Sequence, residues 1–273
     1  MEIIDKKPDM ENRGHCPISG SKIYRFFACP TSFWPTPDDL PDTQSRSAAE
    51  GERAHGYAEK AVWGGEDAIA DCRNQLMRWG AMAYSSFIHT WSPRIEGLST
   101  EVFVRMGGSF GLPLSEVGGY YDAFYEDENS IHAFDYKFGL HVVEPDTPQL
   151  TFYILAKALD SMWDNGLLPV WRDEIKTAVY DWIGTRTIRQ SIIQPKRTDG
   201  AIHTHIVSME DIGEFIDKMC DSVEIYADTG KFTPRLTQTN EQCRYCNKRN
   251  ICPNAIAQQE EERNPCHLTF QKR

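Results

Sequence analysis

Residues 118–139 read GGYYDAFYEDENSIHAFDYKFG, and the way this stretch folds decides the rest of the chain. Two aromatic-rich runs flank the turn-like EDEN at 126–129, the pattern of two strands joined as a hairpin. In the second run Asp135 and Lys137 stand two apart, so they project from one face while Tyr136 points to the other. An ion pair on a solvated sheet edge is the ordinary explanation of such a pair. Asp122, on the first run, changes the weighing, because the hairpin carries it alongside Asp135. Adjacent carboxylates repel and raise a pKa unless a cation lies between them, and Mg²⁺ and Mn²⁺ prefer carboxylate oxygen.

Working outward, strand-like runs cover 99–106, 116–126 and 130–138, and a further strand pair is expected within 173–207. Helical patterning covers about 45–63, 66–91, 147–164 (starting near Pro148) and 209–228. The stretch SGSKIYRFFACPTSFW, 19–34, reads as a short helix opened by a Ser cap and stopped at Pro30, with a Pro- and Asp-rich loop at 35–44. An antiparallel hairpin followed by a crossover helix gives an α/β fold, a mixed sheet with helices packed on it. The expected organisation is a loose N-terminus at 1–18, one folded unit over 19–253 and a tail at 254–273. Within that unit a helical part (19–92) precedes a core (93–207), then a last helix with a cysteine-rich segment (208–253).

Gln149 and Tyr153 fall at i and i+4 on one face of the helix after the hairpin. Both carry neutral polar groups suited to holding a phosphate or orienting a water, although a buried tyrosine with a satisfied hydroxyl fits Tyr153 equally well. His55, in the first long helix, is by itself more often a surface or core residue than a ligand.

The net charge of −11 argues against a protein that coats nucleic acid through bulk electrostatics, without excluding a local groove. Arg186, Arg189, Lys196 and Arg197 are candidates to line one, a solvated face being the plainer reading of each. A charged N-terminus without a signal core and the lack of a bilayer-length apolar run lead to the expectation of a cytoplasmic protein with no membrane partner. Eight cysteines without a secretory signal are a poor match to a disulfide framework. Cys243-x2-Cys246-x5-Cys252-Pro is instead a metal-site spacing that lacks a fourth ligand, and its thiolates suit either zinc or iron–sulfur. Cys16, Cys72, Cys220 and Cys266 have no partner pattern and read as free thiols.

In order along the chain, His55, Gly119-x-x-Asp122, Asp135-x-Lys137 and Gln149-x3-Tyr153 resemble the PD-(D/E)XK nucleases of the RecB type, over about residues 19–253. EGERAHGYAE (50–59) and IIQPKR (192–197) are similar to a phage-associated branch of that superfamily. The resemblance implies a restriction-endonuclease-like core and a metal-dependent DNA nuclease, an exonuclease before an endonuclease, serving recombination, repair or replication. It implies that His55, Asp122, Asp135 and the Tyr136 backbone carbonyl hold Mg²⁺ or Mn²⁺, the imidazole tilting the choice toward Mn²⁺. Lys137 would then sit at the scissile phosphate, and Gln149 and Tyr153 would steady the strand and the water. CRISPR-associated iron–sulfur nucleases and AddB-like nucleases carry one cysteine before the core and three after it. That similarity implies a [4Fe-4S] cluster on Cys29, Cys243, Cys246 and Cys252, clasping the two ends of the chain, with zinc as the alternative. The implied partners are DNA and a phage single-strand annealing or recombination protein, in a bacterial host. The competing readings are a catalytically weak DNA-binding scaffold of the same fold and a zinc-stabilised regulatory protein.

Overall fold

Alternation along the hairpin supplies apolar side chains to both faces of a sheet, and the helices arrange themselves accordingly. The computed structural model describes residues 16–40, 46–234, 243 and 246–257. Five strands, β1 (Leu98–Arg105), β2 (Gly118–Glu126), β3 (Ser130–Tyr136), β4 (Thr187–Ile193) and β5 (Ile202–Val207), lie in the spatial order β1-β2-β3-β4-β5. The β3–β4 pair is parallel and the other three pairs are antiparallel, so the sheet is mixed, as expected. Asp127 closes the hairpin turn, its Oδ1 accepting from the backbone N–H groups of Asn129 (2.8 Å) and Ser130 (2.7 Å).

The helices are α1 (Ile23–Ala28), α2 (Arg46–Gly64), α3 (Gln75–Trp91), α4 (Pro148–Asp164), α5 (Arg172–Ile183) and α6 (Met209–Thr229). On β3, Ile131 and Ala133 join one core with α1, α4, α5 and α6. Phe134 and Tyr136 join a second core with Ala54, Ala58 and Ala61 of α2 and Ala81, Tyr84 and Ile88 of α3. Helix α4 is apolar on nearly every side, Leu150, Phe152, Ile154, Leu155, Ala156 and Ala158 being fully buried between the sheet and its outer helices. Its start follows the sequence: Thr147 caps Gln149 N–H at 3.4 Å, with Pro148 in the first turn.

The structure refines four expectations. The strand pair expected within 173–207 is β4 and β5, and ahead of it the range opens with helix α5, whose Ile175, Val179 and Ile183 recur every four residues and bury one stripe. The patterning at 66–91 begins as a short 3₁₀ turn, Asp67–Ile69, and becomes α-helix only after Asn74, whose side chain caps Met77 N–H. Ser19 makes no side-chain cap, while the short helix α1 does stop before Pro30, with Cys29 as its C-cap and a 3₁₀ turn over Pro30–Phe33 after it. The loose N-terminus expected at 1–18 lies mostly outside the described residues, but Ile18 is fully buried and bridges to Val117. The far tail beyond 257 and Cys266 also lie outside them. Among the described residues no helix is long and apolar enough to cross a membrane.

Candidate metal and phosphate site

Strands β2 and β3 stop pairing where the carboxylates begin. Their ladder ends at Ala123↔Phe134, and one step further the Asp122 side chain takes over, its Oδ2 accepting from Tyr136 N–H at 2.7 Å. The parting of the strands opens a niche reached from both helical layers. From α2, His55 Nδ1 lies 3.2 Å from Asp122 Oδ2, and the His55 ring meets the Tyr136 ring edge-on at 5.5 Å. From α4, Gln149 Nε2 donates to Asp135 Oδ1 at 3.0 Å. Lys137 Nζ sits 3.0 and 2.9 Å from the two Asp135 oxygens and donates to Gln149 Oε1 at 3.2 Å.

The sequence missed one member, Glu101. His55, Glu101 and Asp122 each offer a ligand atom, all within 4.8 Å of one another. Register explains how a residue of β1 arrives there: Thr100 faces Ala123 and Val102 faces Tyr121, which leaves Glu101 opposite Asp122. Its backbone is left-handed, with φ of 51°, an arrangement that costs a non-glycine residue about 1–3 kcal/mol and re-aims the side chain. The one available signal was an acidic residue in the midst of the strand LSTEVFVR.

Asp135, expected to share a cation with Asp122, is not part of that converging trio; Lys137 and Gln149 hold it instead. Tyr136 reaches Asp122 through its N–H. Tyr153 is 6% exposed, and its ring fills the space against two glycines. A Cβ added to Gly20 would come within 2.7 Å of its Cζ, and one on Gly119 within 3.4 Å of its Cε1. Only Gly20 is sterically required there; a side chain at Gly119 would make an ordinary contact.

Charge is tightly balanced in the niche. Burial alone would lower the His55 pKa, but the charge and hydrogen bond of Asp122 more than offset it and lift the imidazole to about 9. Burial likewise works against Asp122 ionisation, yet His55, Lys137 and the Tyr136 N–H hold that carboxyl below the usual range. Asp135, 2% exposed, goes the other way: burial, reinforced by repulsion from Asp122, outweighs the pull of Lys137 and raises its pKa. Lys137 is kept protonated against its burial by the two aspartates. The core histidine His132 is a contrast. Stacked on Phe134 at 3.9 Å and bonded to Ser191 Oγ at 2.7 Å, it is driven by burial to about 3 and stays neutral.

The four cysteines Cys29, Cys243, Cys246 and Cys252 line a single pocket, together with Arg25, Phe232 and Lys248. Burial, with Cys29 and Cys243 nearby, raises the Cys246 pKa, while its sulfur accepts from Lys248 N–H at 3.4 Å. The surrounding segments are already tied: the fully buried Lys248 pairs with Asp39, Asn247 Nδ2 donates to Asp39 at 3.1 Å, and Leu40 N–H donates to Asn247 O at 3.0 Å. Cys16, Cys72 and Cys220 do not line this pocket. Of the basic residues expected in a groove, Arg186 is spent on α5 carbonyls and the Trp182 ring, Arg189 covers Trp91, and Arg197 binds Val143 O and Asp199.

No family model matches the chain, and no curated protein matches it. Solved structures that align with it include the crystal structure of SSO0001, at 14% identity and a TM-score of 0.31, over 74% of this chain and 82% of that chain. A likeness of that order carries no argument.

Proposed function

We propose that this protein is a divalent-metal-dependent nuclease that hydrolyses phosphodiester bonds in DNA, with the niche between β2 and β3 as its active site. The observation that carries the reading is the adjacency of two differently furnished halves: a His55–Glu101–Asp122 trio beside an Asp135–Lys137–Gln149 cluster. Two carboxylates and an imidazole are a donor set for Mg²⁺ or Mn²⁺, the nitrogen favouring Mn²⁺. When bound, such a cation supplies charge to phosphate oxygens and acidity to coordinated water. The chain's own residues do the rest. Asp135 and Gln149 each accept a hydrogen bond from the Lys137 ammonium, which leaves its third donor for a phosphate oxygen that gains negative charge as the bond breaks. Tyr153 braces the floor against Gly20 and Gly119, and the Tyr136 N–H keeps one Asp122 oxygen turned toward His55.

The cysteine pocket is read as the seat of a structural [4Fe-4S] cluster. Its four thiols fit the cluster by donor type, and they suit zinc as the alternative.

The test is digestion of end-labelled single- and double-stranded oligonucleotides with Mn²⁺, Mg²⁺ or chelator. Cleavage that requires the metal and disappears in Lys137→Ala is the expected result. DNA binding without cleavage under every metal would return the protein to a scaffolding role.

A further inference from the structure

Residues 194–197, QPKR, take no part in the chemistry above, yet each is committed to a contact. Gln194 has no solvent exposure. Its Nε2 donates to the carbonyls of Gly139 (2.9 Å) and His141 (2.6 Å), and its Oε1 accepts from Val143 N–H (3.2 Å). Arg197, its side chain 4% exposed, donates to Val143 O at 3.1 Å. Pro195 is wedged against α3, where a Cβ on Gly80 would come within 2.5 Å of its ring. Lys196 lies 4.0 Å from the Phe138 ring and 3.7 Å from Glu50 on α2, the helix that also carries His55.

A buried amide and a buried guanidinium thus grip the backbone of 139–143 from below. Two apolar side chains of the gripped segment stand outside, Leu140 at 80% exposure and Val142 at 58%, with the exposed His141 between them. Solitary exposed apolar residues are commonplace on protein surfaces. Two on a loop held this firmly, starting immediately after the catalytic-site lysine, are a presented tip. Leu140 follows Lys137 by three residues, so chain length alone keeps it within about 10 Å. That reach covers about three stacked bases at ~3.4 Å each. Two side chains are far too little for a protein interface of about 800 Å² per partner, but they match a base face, which is apolar whatever the sequence.

Building on the nuclease reading, we propose that Leu140 and Val142 form an apolar tip that packs on the nucleobases next to the scissile phosphate. Gln194 and Arg197 are the positioning residues that hold it. Apolar side chains pressed against base steps are an established device of DNA-binding proteins.

The experiment uses the full-length protein with single-stranded and duplex oligonucleotides carrying 2-aminopurine near the bound end, in Ca²⁺ to allow binding without turnover. Wild type changes the 2-aminopurine fluorescence on binding. The Leu140→Ala/Val142→Ala variant loses that change, binds about tenfold more weakly, and in Mn²⁺ shows the loss in KM more than in kcat, with an unchanged melting temperature. Leu140→Met/Val142→Ile restores the signal, and Gln194→Ala loses it with both tip residues present. A double-alanine variant that matches wild type in fluorescence and KM overturns the tip and leaves the nuclease reading intact. Wild-type protein that neither binds nor cuts overturns both.

Discussion

The carboxylate niche and the cysteine pocket are both candidate metal sites, but they are held together in opposite ways. In the niche, opposite charges already satisfy one another: His55 pairs with Asp122, and Lys137 with Asp135 and Gln149. Its geometry is built from protein contacts alone. In the pocket the thiols face a common space, and the ties that bring the chain ends together, Lys248 and Asn247 to Asp39, lie around the sulfurs. Under the proposed function the niche takes its ion for chemistry and the pocket its cluster for cohesion. The contrast separates effects on rate from effects on stability.

The largest expected effect is on rate. Lys137→Ala should lower DNA cleavage by at least about 10²–10³-fold, the scale for removing one preorganised donor from a developing charge. It should leave binding largely in place in a filter or anisotropy assay. Because the lysine also neutralises Asp135, the variant's carboxyl pKa should rise further above its usual value. A raised carboxyl pKa favours the folded state at low pH, so this variant should lose stability as pH rises from 5 to 8. Cleavage at the wild-type rate would remove the niche from the active site altogether.

Next in size is a stability effect confined to the pocket. Anaerobically prepared protein should be brown, and Cys29→Ala, Cys243→Ala, Cys246→Ala or Cys252→Ala should bleach it and lower its melting temperature. Cys72→Ala and Cys220→Ala should keep the colour. Colourless protein with stoichiometric zinc would retain the clasp and replace its metal.

A smaller difference concerns metal removal from the niche. A mild chelator that leaves the pocket loaded should abolish cleavage yet shift the melting temperature by only a degree or two, on the order of the RT ln(1 + [L]/Kd) contribution of a weakly bound ion. A large shift would mean that the niche is not preorganised.

The smallest expected effect is a pH slope. With no metal present, His55 in the folded state keeps its proton to about 9, above its ordinary 6.5. The stabilisation from its pair with Asp122 is therefore complete below pH 6.5 and fades as pH rises through 9. Urea denaturation in chelator should record that decline, and His55→Gln should flatten it. The same proton must leave when an ion takes the imidazole, so calorimetry of Mn²⁺ binding at pH 7 should detect proton release in wild type but not in His55→Gln.

Most of the sheet was legible, because strand alternation and the EDEN turn are local signals, and so was Asp135-x-Lys137, which needs only the two-residue period. Gln149 was legible from helical spacing on α4. Glu101 was not, since its place depends on cross-strand register and on one left-handed residue, neither of which composition encodes. Helix α5 went unread ahead of the expected strand pair because Ile175, Thr177, Val179, Tyr180 and Trp182 are strand-forming types; only the four-residue recurrence of its buried stripe marks it as helix. Three of the pocket cysteines announced themselves by spacing, while Cys29 needed a family resemblance, as a pocket residue from the far side of the core leaves no local trace.

The parallel pairing of β3 with β4 has a consequence for how the chain reaches its native state. The β2–β3 hairpin closes across a short turn and can form in about 1–10 μs. The β3–β4 ladder must wait until α4 and α5 have been threaded through the crossover between them, and such non-local pairings form slowly. During that interval Asp122 and Asp135 stand together before Gln149 has arrived on α4. We predict that refolding passes through a species whose formation slows as pH rises from 5 to 8, and that Asp135→Asn speeds this phase while it disables the finished site. Stopped-flow refolding of the two proteins across that pH range, with identical rates as the contrary outcome, tests whether the charge proposed to serve catalysis is also the main electrostatic obstacle to assembling the sheet.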